Sequence, residues 1–350
     1  MEQKIKRVAA YDRIRALAIV GIIIGSVAGV LVNSEAAGGQ ALGFTWHLAN
    51  LFGSLVRMSV PLLLMAEGAL LLQKPESASL KEVLRHRVLP LLSSLAVWSL
   101  VYLIFCFLWQ GMVDQNVVPV DMLLSVISSP TSSHLWLIYL LLATYLVLPF
   151  LRLLVEHAPR SLMHFAVGLW FAYSSLWPAL SGLFPELSLA SYSSVNVLGG
   201  YLGYLLLGWL LATTEQRPAP RYMLIGYGVC VLATVVGTAL MTHGAGEANL
   251  VFYQRFMPNI VLMSSFVFML CRDFDRPTVF TPWIAPMAQF TLGMYFVYEL
   301  YNQLLLPLVR VIPGFISLIL APPLVWVLAL ITVAFMRRSQ FVRRVFLGEF

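Results

Sequence analysis

Apolar runs long enough to cross a bilayer recur along the chain, separated by short polar breaks. The hydrocarbon core of a membrane takes about 20 helical residues. About ten segments reach or approach that length: 12–33, 47–73, 88–111, 134–155, 161–178, 195–213, 222–242, 256–272, 286–309 and 316–336. The pattern predicts an all-α polytopic membrane protein. No break is large enough for a separate soluble domain, so residues 1–350 are expected to form a single transmembrane domain. The run 11–33 follows a basic stretch as a signal peptide would, but its apolar part is too long. Ala36 and Ala37 also match a cleavage site poorly, so it reads as a retained first helix.

The breaks alternate in charge. Lys4, Lys6 and Arg7, then Lys74, Lys81, Arg85 and Arg87, then Arg160, Arg217, Arg221, Arg272 and Arg276, and finally Arg337, Arg338, Arg343 and Arg344 fall on one side. The alternate breaks 34–46, 112–133 and 179–194 hold no Lys or Arg, and only Arg255 and Arg310 lie near that face. Loops rich in Lys and Arg stay in the cytoplasm, so both termini are expected there. Composition points the same way: 60% hydrophobic, 11% charged and mean hydropathy +0.84, where soluble domains carry about 25% charged residues. The net charge of +6 is a topology signal and not a nucleic-acid footprint. Cys106, Cys230 and Cys271 all lie in apolar runs without metal-ligand or disulfide spacing, so no metal site is expected.

Several polar residues interrupt this picture. Asp12, Arg13 and Arg15 open the first span, and Ser26 lies eleven residues beyond Arg15. At about 1.5 Å per residue that is ~16 Å along one helix face. Arg57 falls well inside the second span and Glu67 near its cytoplasmic half. A charge there is expensive unless it meets a carboxylate, an aromatic or a water-filled cavity. The pair reads as a buried polar site, as a structural ion pair, or as an Arg snorkelling outward. Glu299, deep in the ninth span, needs a partner, and Arg57 is the one expected. His134 and Trp136 open the fourth span, either as interface anchors or as site residues. The His residues at 86, 157, 164 and 243 read as solvated, and His47 sits at the outer start of the second span.

The stretch 74–87 has caps at Ser77 or Ser79, Glu82 in the first turn and basic residues at its end, which predicts a short amphipathic helix on the cytoplasmic surface. It would touch anionic lipid, or Lys81 and Arg85 would clamp the phosphates of a donor such as coenzyme A. The run Gly200, Gly203 and Gly208 predicts close helix packing. The loop 243–255, with Glu247, Asn249, Tyr253 and Arg255, suits contact with a sugar. Residues 337–350 read as a basic cytoplasmic tail.

Four of these stretches, taken in order, resemble acyltransferase family 3, the integral-membrane O-acyltransferases of bacterial surface glycans. Asp12 and Arg15 match that family's first helix, which ends in a His where this chain has Ser26. Arg57, Val60, Pro61, Leu62, Met65 and Gly68 match its second, with Glu67 where Ser is usual. His134, Leu135 and Trp136, followed by Tyr145, Leu146 and Pro149, match its His-Leu-Trp helix. Thr291, Leu292, Gly293, Met294 and Tyr295 match its Leu-Gly-x-Tyr helix, with Tyr298 in place of a second His.

The resemblance implies transfer of an acyl group, often acetyl, from acetyl-CoA or another acyl-CoA. The acceptor would be a sugar hydroxyl of an exopolysaccharide, another surface glycan or a lipid-linked sugar, at the bacterial inner membrane. A His suits the base and Arg the donor phosphates or the oxyanion. The residues implied in chemistry are Asp12, Arg15, Ser26, His134, Tyr298 and Glu299; in acceptor binding, Arg57, Glu67, Trp136 and Tyr295; in donor binding, Arg15, Lys81 and Arg85. Ser is no base and Tyr is mainly a proton donor, so His134, Glu67 or Glu299 would have to act. The alternatives are an inactivated or altered enzyme, and a non-catalytic homologue. The latter would act as a transporter or flippase, or as a structural subunit beside other polysaccharide synthesis and export proteins.

Overall fold

The computed structural model describes residues 2–36, 42–73, 80–113, 132–183, 196–245, 247–274 and 281–348, and among them no strand occurs. α1 (Glu2–Ala36) is followed by α2 (Phe44–Leu55) and α3 (Ser59–Leu71). α4 (Leu80–Val83) continues through a π turn, Leu84–Val88, into α5 (Leu89–Val113). A 3₁₀ turn, Ser133–Leu135, opens α6 (Trp136–His157). α7 (Arg160–Phe171) is joined to α8 (Trp177–Leu183) by a second π turn, Ala172–Leu176. Then come α9 (Asn196–Thr213), α10 (Pro220–Ala245), a 3₁₀ turn at Val251–Tyr253, α11 (Pro258–Asp273), α12 (Thr281–Val311), α13 (Gly314–Met336) and α14 (Gln340–Leu347).

The protein is an all-α polytopic membrane protein. Seven spans among the described residues are long and apolar enough to cross a bilayer. The other expected segments depart from that standard for visible reasons. α9 is short, 18 residues. The segment 161–178 carries His164, Ser174 and Ser175, which lower its hydropathy. α12 is 31 residues long, about 47 Å at 1.5 Å per residue, but carries Glu299, Asn302 and Gln303. Large apolar side chains lie exposed along the outside, such as Ile225, Val229 and Leu232 on α10 and Ile319, Leu320 and Ile331 on α13. In a bilayer that surface faces lipid.

α1 runs through the middle of the bundle, packed against α2, α3, α11, α12 and α13. α3 and α9 meet backbone to backbone. A Cβ at Gly68 would come within 2.1 Å of the Leu205 carbonyl oxygen, and one at Gly208 within 2.1 Å of that of Met65. The small residues of α9 therefore serve packing, as the sequence indicates.

The basic residues gather at one end, where they close helix C-termini. Arg13 donates to the carbonyls of Cys271 and Phe274, Arg152 to Leu71 at 2.9 Å, and Arg272 to Leu211 and, at 2.9 Å, Gln216. A guanidinium there satisfies orphan carbonyls and complements the helix dipole. The positive-inside rule assigns this end to the cytoplasm.

Three expectations change. The second span is not one helix: α2 ends at Leu55 and α3 begins at Ser59. Pro61 has no N–H to bond the carbonyl of Arg57 four residues earlier, so the helix breaks there. The surface helix expected over 74–87 is, from Leu80 onward, the start of the third span, and 74–79 lies outside the described residues. The basic tail is folded in. Ser94 and Trp98 of α5 donate to the carbonyls of Val345 (3.2 Å) and Phe346 (2.9 Å), and Leu347 is buried.

Candidate functional site

At the basic end a cavity of about 290 Å³ opens among α1, α3, the Leu84–Val88 turn, α5, α6, α12 and the end of α14. Its polar lining is Arg15, Glu67, His86, Arg87, Tyr145 and Gln289, and its walls include Leu63, Leu137, Ile138, Leu141, Leu292 and Leu347. Arg15 and Glu67 form a direct ion pair across α1 and α3. Arg87 has no carboxylate partner among the described residues; its guanidinium lies 5.5 Å from the Tyr145 ring centroid. Charged and apolar groups therefore share the lining, with His86 exposed and Glu67 buried.

From the opposite end a cavity of about 550 Å³ descends between α1, the break at Arg57 and α12. Glycines 21, 25 and 29 of α1 floor it, and Arg57, His134, Trp136, Arg255, Tyr298 and Glu299 supply its polar and aromatic groups. The helix break frees Arg57 to turn away from α3. It donates to the Tyr253 carbonyl at 2.7 Å and lies 4.6 Å from that residue's ring centroid. Arg255 lies 4.2 Å over the Trp136 ring. The strap carrying Tyr253 and Arg255 is pinned: Tyr253 Oη donates within hydrogen-bond reach of Asn50 (2.9 Å), and Tyr204 Oη bonds the Arg255 carbonyl.

Glu299 meets Ser26, not Arg57. Ser26 Oγ donates to Glu299 Oε2 at 3.4 Å, Asn302 Nδ2 to Ser26 Oγ at 2.9 Å and to Glu299 Oε2 at 3.3 Å, and Gln303 Nε2 to Glu299 Oε1 at 3.4 Å. The expected Arg57–Glu299 pair is thus corrected. Asn302 and Gln303 follow Glu299 by three and four residues, which puts all three on one helix face, so the carboxylate is satisfied locally. A side annex of about 70 Å³ continues past Ser26 and Glu299 to Asn302 and Gln303.

His134 stands where the cavities approach. It is buried, its Nδ1 lies 2.8 Å from Ser132 Oγ, and its Nε2 has no partner among the described residues. Its ring is boxed by Tyr102, Tyr295 and Tyr298, with centroids 4.8, 5.6 and 5.5 Å away. Tyr295 donates its hydroxyl to the His134 carbonyl and lines both cavities.

The outer cavity thus gathers Ser26, Arg57, His134, Trp136, Tyr295, Tyr298 and Glu299. Glu67 is separate, paired with Arg15 in the inner one. Asp12 is half-buried one turn from Arg15 and lines neither. Lys81 and Arg85 are exposed and away from the inner lining, which takes His86 and Arg87 instead. His47, His157, His164 and His243 are exposed. Of the 243–255 loop, Glu247 is exposed, Asn249 caps its own turn, and Arg255 alone reaches the cavity. Asp114 and Asp121 lie outside the described residues. Sequence reading passed over Arg87, Asn302 and Leu347 as site residues, while Arg255 was read in a loop suited to a sugar. Only Asn302 left a clear signal, its spacing from Glu299.

Two cavities thus approach the His134–Tyr295 contact from the two ends of the bundle. The sequence resolves the choice of class: residues 8–336 match the acyltransferase domain of acyltransferase family 3, and the chain belongs to that family. It is a multi-pass membrane acyltransferase. No curated protein and no solved structure matches it significantly.

Proposed function

We propose that the protein transfers an acyl group, acetyl in the simplest case, from a cytoplasmic acyl-CoA to a sugar hydroxyl of a surface glycan or lipid-linked sugar beyond the inner membrane. The observation that carries this reading is Tyr295, which lines the cavity at the basic end and the cavity at the other end and bonds the backbone of His134.

The acyl-pantetheine arm enters the inner cavity between Leu63, Leu137, Ile138 and Leu141 while the phosphates stay at the rim with Arg87 and His86. Arg15, held by Glu67, supports the cavity wall and makes no free contact. The acceptor comes from the outer cavity. This chemistry requires the tautomer in which Nδ1–H of His134 donates to Ser132 Oγ and the Nε2 lone pair is free to act as a general base. Nε2 takes the acceptor's hydroxyl proton, and the oxygen attacks the thioester carbonyl. The oxyanion accepts from the Tyr298 hydroxyl. The C–S bond then breaks, and the thiolate leaves with the proton from His134 as free coenzyme A. Glu299, oriented by Ser26, Asn302 and Gln303, shapes the acceptor's approach.

Sidedness tests this. In proteoliposomes with acetyl-CoA at the basic face and the acceptor sealed within, acetylated acceptor should accumulate inside. Product formed only when both substrates share a compartment would contradict the two-cavity route.

A further inference from the structure

We infer that the outer cavity selects an acceptor bearing a negative charge, a carboxylate such as a uronic acid's or a phosphate, close to the hydroxyl that reacts. The inference rests on assigning that cavity to the acceptor. Its charged lining is Arg57 and Arg255 against Glu299 alone. Two positive groups and one negative leave it at least +1. No carboxylate of the described residues lies within ion-pair distance of either guanidinium. In the inner cavity, by contrast, Arg15 is neutralised by Glu67.

A charge held at membrane depth needs compensation. Arg57 finds one carbonyl and the face of Tyr253; Arg255 finds the face of Trp136 and the Tyr201 hydroxyl. Those are neutral partners, which stabilise but do not cancel a charge. What remains uncompensated is positive charge lining the cavity, and an oxyacid is the ligand that arginine charge meets most readily. Glu299 is bound to neutral donors on the facing wall formed by α1 and α12. It repels an anion there, so the acceptor's charge is directed to the arginine wall and its hydroxyls toward His134.

The test is equilibrium binding to the protein in nanodiscs without acyl-CoA, using cellobiouronic acid, neutral cellobiose and glucose 1-phosphate as probes. A charged probe should bind at least about tenfold more tightly than cellobiose, with the preference falling as salt rises. Arg255→Gln should abolish the preference and Arg255→Lys retain most of it; Arg57→Gln serves as the second variant if its melting temperature matches the parent's. Preference for the uronate alone or for the phosphate alone supports the inference and names the source of the charge. Equal binding of cellobiose, or an unaltered preference in Arg255→Gln, overturns it. Because no donor is present, that failure is separate from a failure of acyl transfer, which coenzyme A release reports.

Discussion

Ser26 Oγ lies 3.4 Å from Glu299 Oε2, and Asn302 bridges the two. A position on the first span and one on α12, 273 residues apart, thus share one polar cluster facing the outer cavity. Ser26→Ala removes one of three donors to the carboxylate. Asn302 and Gln303 remain, so the loss is about that of a single hydrogen bond, ~1 kcal/mol. Turnover should fall less than about tenfold, and unfolding in detergent together with initial rates checks both. A collapse as large as that of His134→Gln would make Ser26 itself a reacting group.

The Arg15–Glu67 pair is structural support for the inner cavity. Glu67→Gln leaves a mostly buried guanidinium without its counter-charge, which costs about 3 kcal/mol when a buried pair is broken from one side. Replacing both residues, Arg15→Met with Glu67→Leu, should recover much of that. Thermal unfolding of the single and double variants measures it; additive losses would mean that the pair is not coupled.

Leu347 and Gly348 form one wall of the inner cavity, although they belong to the C-terminal helix. Leu347→Trp should narrow the donor site and raise KM for acyl-CoA by about tenfold or more, ~1.4 kcal/mol, while leaving uronate binding in the outer cavity unchanged. An unchanged KM would place donor entry elsewhere.

The α3–α9 contact gives a prediction about folding. A Cβ at Gly208 collides with the Met65 backbone, whereas one at Gly29 meets nothing within 4 Å. Gly208→Leu should abolish the folded protein. Gly29→Ala should hold or raise its melting temperature, since Ala is favoured over Gly in a helix by about 1 kcal/mol. Size-exclusion profiles and melting curves decide both.

The membrane architecture was legible because hydrophobic length and Lys/Arg placement are local properties, and the basic end assembles as the charge pattern foretells. The four motif-bearing stretches likewise pointed to the family. Partner choice was not legible. Arg57 and Glu299 looked complementary because both are costly charges, but Pro61 breaks the helix and turns Arg57 to Tyr253, while Glu299 is met by its own i+3 and i+4 neighbours. The sequence shows no sign of the fold-back of α14 either. A basic run reads as solvated, and only the tertiary contacts of Leu347 and Trp98 reveal that its apolar face is buried. Arg255 was legible as an outlier of the charge rule, in a loop of polar and aromatic residues, but no local pattern tells that it lies over Trp136.

The most direct measurement is release of coenzyme A thiol by the purified protein in nanodiscs, with acetyl-CoA and cellobiouronic acid, for the parent chain beside His134→Gln and Glu299→Gln. The account predicts acceptor-dependent release by the parent, a fall of about 10²- to 10⁴-fold in His134→Gln, as removal of a general base produces, with acetyl-CoA still bound, and a smaller fall in Glu299→Gln. Parent-level turnover in His134→Gln with a dead Glu299→Gln would contradict it and move the base to the carboxylate. Binding of acetyl-CoA without any consumption by the parent would contradict it more deeply, leaving the two cavities to a carrier.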